Sequence, residues 1–124
     1  MKDKNYNIEY RYDVDTDALF INKVKNYNYD ESIELESNII LDFDIDGMVC
    51  ALEILNASKV FNVSNDYFNN IKNISIKIAV FEKLICLNLS VDVSMNNKKL
   101  LKSLDKSTTN DINAPVMETE LATV

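Results

Sequence analysis

Apolar and polar residues alternate through Ile74-Ser75-Ile76-Lys77-Ile78-Ala79-Val80-Phe81 and through Leu84-Ile85-Cys86-Leu87-Asn88-Leu89-Ser90-Val91-Asp92-Val93. A period of two sends successive side chains to opposite faces of a strand and is incompatible with an amphipathic helix. Glu82-Lys83 lies between the two runs as a two-residue turn, so the pair reads as a hairpin. Weaker alternation runs through Asn7–Tyr12, Ala18–Ile21, Ser32–Glu36, Asn38–Phe43 and Met48–Leu55. Acidic turns separate them at Asp13-Val14-Asp15-Thr16-Asp17 and Asp44-Ile45-Asp46-Gly47. Gly47 is the only glycine of the chain, and its place after Asp46 predicts a positive φ at a hairpin turn.

The segment after Leu55 changes character. Asn56 and Ser58 are candidate caps for a short helix, and Ser64–Ile71 has the cap and apolar spacing of another one or two helical turns. Asn96-Asn97 reads as a turn and Lys98–Leu104 as a further strand. The predicted fold is α+β: an antiparallel β-meander sheet of about six strands, with one or two short helices between the two strand groups. Residues 1–104 form the predicted domain, and the polar, Pro115-containing stretch 105–124 an extended or poorly ordered C-terminal tail.

The chain has no histidine, which excludes Ser-His, Cys-His and His-metal chemistry within one chain. Its net charge of −7 predicts no direct nucleic-acid partner, since duplex affinity depends on Lys and Arg neutralising phosphates. The same charge suits a basic protein partner. Cys50 and Cys86 sit in strand-like runs with no metal-ligand spacing, and are expected to be reduced and at least partly buried. Met1-Lys2-Asp3-Lys4-Asn5 lacks an apolar signal core, and no apolar run is long enough for a membrane span. The expectation is a cytoplasmic protein away from membranes.

The sharpest chemical motif is Asp42-x-Asp44-x-Asp46-Gly47-x5-Glu53, which satisfies the calcium-loop pattern in full. Its context is two strands rather than two helices. On pleated strands Asp42 and Asp44 should share one face and Glu53 should lie up the return strand, so no metal site is expected there. Asp42, Asp44 and Asp46, with Asp13 if the two acidic turns met, remain weak candidates for a divalent cation. Glu53 in an apolar strand is expected to be structural, bracketing the strand to the backbone around Asn56 and Ser58. No residue is assigned a catalytic or cofactor-binding role, and no cofactor is implied.

Tyr12-Asp13, Asp17-Ala18-Leu19, Ile21 and the run Asp42-Phe43-Asp44-Ile45-Asp46-Gly47 through Glu53-Ile54-Leu55-Asn56-Ala57-Ser58 resemble domain-of-unknown-function family 2283. The likeness covers about Tyr10 to Ser58, and matches its "YD…D.LYI" and "DyDedG.vvgiEIlnAS" blocks. The resemblance implies a fold and an acidic hairpin turn more than an activity. Family members thought to neighbour genes for small basic ribonuclease toxins imply an antitoxin-like subunit. The first functional reading is a non-enzymatic protein-interaction module with a small basic partner, and with a tendency to form homo-oligomers through open sheet edges. The second is a cation- or small-ligand-binding protein using Asp42–Glu53. The third is an enzyme built on paired carboxylates.

Overall fold

The computed structural model of the protein describes residues 2–123. Met1, the first residue of the segment judged free of a targeting signal, and Val124, the end of the expected tail, lie outside the described residues. The strands are β1 (Lys2–Asp13), β2 (Ala18–Lys23), β3 (Tyr29–Leu35), β4 (Ile39–Asp44), β5 (Val49–Ile54), β6 (Ile71–Val80), β7 (Leu84–Met95), β8 (Lys98–Thr109) and β9 (Met117–Ala122). A short helix α1 (Ala57–Phe61) and a 3-10 turn (Asn65–Asn69) connect β5 to β6.

All nine strands join one sheet in the order β3-β4-β5-β2-β1-β9-β6-β7-β8. The sheet is mixed, because β1 and β9 run parallel while every other pair is antiparallel. The fold is therefore mainly β, and the α+β expectation of about six antiparallel strands is corrected. The helical segment shrinks to five residues in α1 because its flanking Asn56 and Asn62 both adopt left-handed backbone and stop the helix at each end. Residues 105–124, expected as a tail, carry the end of β8 and all of β9. Met117, Thr119 and Leu121 are buried while Glu118 and Glu120 face out, so β9 has the same period of two as the confident strands.

Strand β1 explains how one sheet encloses one core. Its residues 2–7 pair with β9, and its residues 8–13 pair with β2. The strand passes from one half of the sheet to the other, and the sheet curls into a half-barrel. Leu19, Ile21, Leu41, Leu52 and Ile54 of the first half pack in one cluster with Ile74, Ile76, Ile78, Leu87 and Leu89 of the second. Phe61 of α1 and Phe68 of the 3-10 turn enter the same cluster, with ring centroids 5.8 Å apart, and Tyr12 lies 5.1 Å from Phe68.

Two turns show why the local sequence was decisive. Asn96 and Asn97 join β7 to β8 with φ of 48° and 66°, and asparagine tolerates that region better than most residues. Gly47 has φ 78° as its position predicts. It also meets the chain far downstream: a Cβ there would lie 2.8 Å from Pro115 Cδ. Asn110 holds the loop that carries Pro115. Its Nδ2 donates to the carbonyls of Phe81 and Ala114, and its Oδ1 accepts from Ala114 N–H at 2.9 Å. Among the described residues no helix is long and apolar enough to cross a membrane.

Candidate functional site

The two acidic turns do not meet. Leu19, just after the first, pairs with Ile54 at the end of β5, whereas the second precedes Val49 at its beginning. Six residues of strand separate them, about 20 Å at 3.3 Å per residue. Asp13 thus stands apart from Asp42, Asp44 and Asp46, and its Oδ1 accepts from Asp15 N–H at 3.0 Å within its own turn.

The first turn is a structural clasp centred on Asp17. Its backbone carbonyl accepts from Ala57 N–H at 2.8 Å. Its carboxylate accepts from the Ser58 hydroxyl at 2.6 Å, from Ser58 N–H at 3.2 Å, and from the Tyr12 hydroxyl at 2.5 Å. The N-terminal cap expected from Asn56 or Ser58 is supplied instead by Asp17, because Asn56 makes no side-chain cap bond. Burial works to raise the Asp17 carboxyl, but the bonds from Ser58 and Tyr12 outweigh it and hold the group below its ordinary range. The Tyr12 phenol is pushed up, first by burial and then by its bond to Asp17. Sequence reasoning assigned the bracket to Glu53. Spacing along the chain carries no signal that a carboxylate 41 residues away from Ser58 would take the role.

The second turn splits its carboxylates between two faces. Asp42 pairs with Ser32 and Ala51, and its Oδ1 accepts from the Ser32 hydroxyl at 2.6 Å on the outer face. The register shifts between Asp42 and Phe43, and Asp44 is buried with Phe43. This corrects the expectation that Asp42 and Asp44 share a face. Asp44 Oδ1 accepts from Asp46 N–H and Met48 N–H at 2.9 and 3.0 Å, and its Oδ2 lies 3.9 Å from Lys23 Nζ. Lys23, only 5% exposed, also stands 3.7 Å from the centroid of the Tyr6 ring. Burial lowers the Lys23 pKa, and the Asp44 charge opposes the shift without cancelling it. Asp46 is exposed. Among the described residues no three of His, Cys, Asp and Glu converge closely enough to hold a metal ion.

Glu53 lies on the outer face, between Phe20 on β2 and Ile40 on β4, rather than against Asn56 or Ser58. Burial raises its carboxyl, and the charge of Asp42, its diagonal neighbour, adds to the shift. Tyr29, Ser32, Glu34, Ile40, Asp42 and Glu53 line a shallow depression of about 560 Å³ beside the edge strand β3. A larger open groove of about 930 Å³ crosses the outer face of the other half, where Lys77, Asn88, Asp105, Glu118 and Glu120 mix charges of both signs. That mixture gives no convergent chemistry, whereas the β3 depression gathers carboxylates of one sign beside a strand edge. Cys50 is buried and Cys86 half-buried, and both are free thiols. Burial and the charge of Asp42 push the Cys50 thiol up to about 11, so it is protonated and inert at neutral pH.

Comparison with known proteins finds relatives by sequence. The profile of a family described as "Protein of unknown function (DUF2283)" matches residues 9–58. That span holds the Asp17 clasp, the acidic hairpin and the β3 edge. A Methanosarcina mazei protein named "Putative hypoxanthine phosphoribosyltransferase" is 36% identical over 94% of this chain and 93% of its own length. An uncharacterized protein of Methanocaldococcus jannaschii is 33% identical over 73% of this chain and 78% of its own length. No solved structure matches the chain.

Proposed function

The chain belongs to the DUF2283 family, and from that premise we propose that it is a non-enzymatic interaction module that binds a basic, extended segment of a protein partner along β3. The observation that carries this reading is the unpaired edge of β3. Among the described residues β3 forms a strand ladder with β4 alone, so its other row of N–H and C=O groups makes no ladder within the chain, although its Glu36 end approaches β8. Asp30, Glu31 and Glu34 on that strand, with Asp42 and Glu53 beside it, favour lysine and arginine side chains on the incoming segment. A small basic protein of the antitoxin-target kind is a partner of this chemistry.

The name borne by the Methanosarcina mazei relative raises phosphoribosyl transfer as a competing reading. Binding a sugar diphosphate calls for backbone N–H groups gathered by a glycine-rich loop or a helix N-terminus. Here the one glycine serves a hairpin turn, and the N-terminal N–H groups of the five-residue α1 face Asp17. These features support the binding reading over the transferase reading.

The test is calorimetric titration with a synthetic peptide that alternates lysine with valine, beside one that alternates glutamate with valine. The lysine peptide should bind, and should lose at least about tenfold in affinity in Glu31→Lys/Glu34→Lys, the scale of one or two charge pairs. Equal binding of both peptides would remove the acidic edge from the explanation. Turnover of hypoxanthine by the purified protein would overturn the non-enzymatic reading outright.

A further inference from the structure

We propose that β8 is a built-in competitor for the acidic edge of β3, a basic strand of the same chain whose contact a partner segment must displace before it pairs along the whole of β3. This rests on the strand-addition reading of β3 and adds a control to that site. The two end strands of the sheet approach each other as it curls. Lys106 Nζ of β8 lies 2.9 Å from Oε2 of Glu36, the residue that follows β3. Among the described residues this is the one ion pair between the two ends of the sheet.

Charge makes β8 a likeness of the proposed partner. The chain carries a net charge of −7, yet β8 holds Lys98, Lys99, Lys102 and Lys106 against a single Asp105. Leu100, Lys102, Leu104 and Lys106 lie opposite the buried Val93, Val91, Leu89 and Leu87 of β7, so the core side of β8 alternates apolar with cationic side chains. A basic extended segment of that pattern is what Asp30, Glu31 and Glu34 of β3 would attract. Lysines on an end strand ordinarily keep foreign strands away from their own edge. Here Lys106 also guards the neighbouring edge, by occupying the carboxylate that closes β3.

The contact is built to yield. β3 and β8 form no ladder with each other, so the seam between them lacks the backbone hydrogen bonds that join the other neighbours. β8 is tied along its whole length to β7, and the seam can open without moving it. The Glu36 side chain is 62% exposed and that of Lys106 28%. Water weakens such a pair, and breaking it shifts an equilibrium by no more than about fivefold. That is enough to grade access to β3 and too little to seal it.

Calorimetric titration of the full chain with the lysine–valine peptide tests the proposal through the sign of one change. Glu36→Gln removes a carboxylate from an acidic surface, so charge alone predicts weaker binding of a cationic peptide. Release of the seam predicts the opposite, a gain of about two- to fivefold. Lys106→Gln should gain at least as much. The double variant should fall between the two single ones, since the seam can be released only once. Without peptide, the amides of β3 should exchange faster in either variant. Weaker binding in Glu36→Gln overturns the proposal, and so do gains that add in the double variant. Should Glu36→Gln fail to fold, as judged by circular dichroism, Lys106→Gln decides: unchanged hydrogen exchange along β3 overturns the proposal. A peptide that binds wild type and gains nothing from Glu36→Gln refutes the competitor alone and leaves strand addition standing. Absence of binding to wild type and to every variant removes the strand-addition reading, and the competitor with it.

Discussion

At the scale of single residues, Asp17 and Gly47 hold the first half of the fold. Asp17 adopts φ 55° and accepts from Tyr12 and Ser58. Asp17→Ala removes the cap of α1 and leaves the Tyr12 hydroxyl without its acceptor, and should cost about 1–3 kcal/mol in urea unfolding. The pH dependence has a definite sign. A carboxyl held below its ordinary range in the folded state contributes stability above its unfolded pKa, and loses it as pH falls through the folded value. The stability gap between wild type and Asp17→Asn should therefore be constant near neutrality and narrow below about pH 4, the ordinary carboxylate value. A gap that widens on acidification would contradict this. At Gly47 the positive φ and the contact with Pro115 are separable. Gly47→Ala should destabilise by about 1–2 kcal/mol, and Gly47→Val by more. Pro115→Ala in the Gly47→Ala background should return only the share due to crowding. Double-mutant unfolding reads that share directly.

At the scale of elements, β9 decides more than its six residues suggest. It pairs with β1 on one side and β6 on the other, and buries Met117 and Leu121. Burying two such side chains is worth about 3–6 kcal/mol, a large part of the stability of an ordinary domain. A chain ending at Pro115 should accordingly lose its cooperative thermal transition by circular dichroism. A truncated chain that melts within a few degrees of wild type would show that the two halves of the sheet cohere without β9. The Met117-Glu118-Thr119-Glu120-Leu121 alternation was present in the sequence, but one short run after Pro115 resembles many exposed tails. The hairpins at Gly47, Glu82-Lys83 and Asn96-Asn97 were legible because turn and strands are contiguous, and local sterics settle them.

At the scale of the whole molecule, charge is distributed rather than uniform. The acidic total conceals a basic end strand at β8 and an acidic end strand at β3. Composition supplied the negative sum, and only the strand order and the curl of the sheet revealed that the lysines and the carboxylates occupy its two end strands, which approach each other where Lys106 meets Glu36. The candidate site shows the same division. Asp42, Asp44, Asp46 and Glu53 were identifiable as a motif, but the Asp44 carboxylate is buried against its own turn and Lys23, which leaves Asp42 and Glu53 outside.

The sequence by itself determined the tight turns, the strands that flank them and the absence of imidazole chemistry, but not β9, because alternation, positive φ and residue identity act over a few neighbouring residues. Tertiary structure alone decided the parallel β1–β9 pair, the capping of α1 by Asp17, and the separation of the two acidic turns along β5. Each of these joins segments distant in the chain, where the free energy of pairing depends on which partner is buried against which, and local pattern carries no record of that choice.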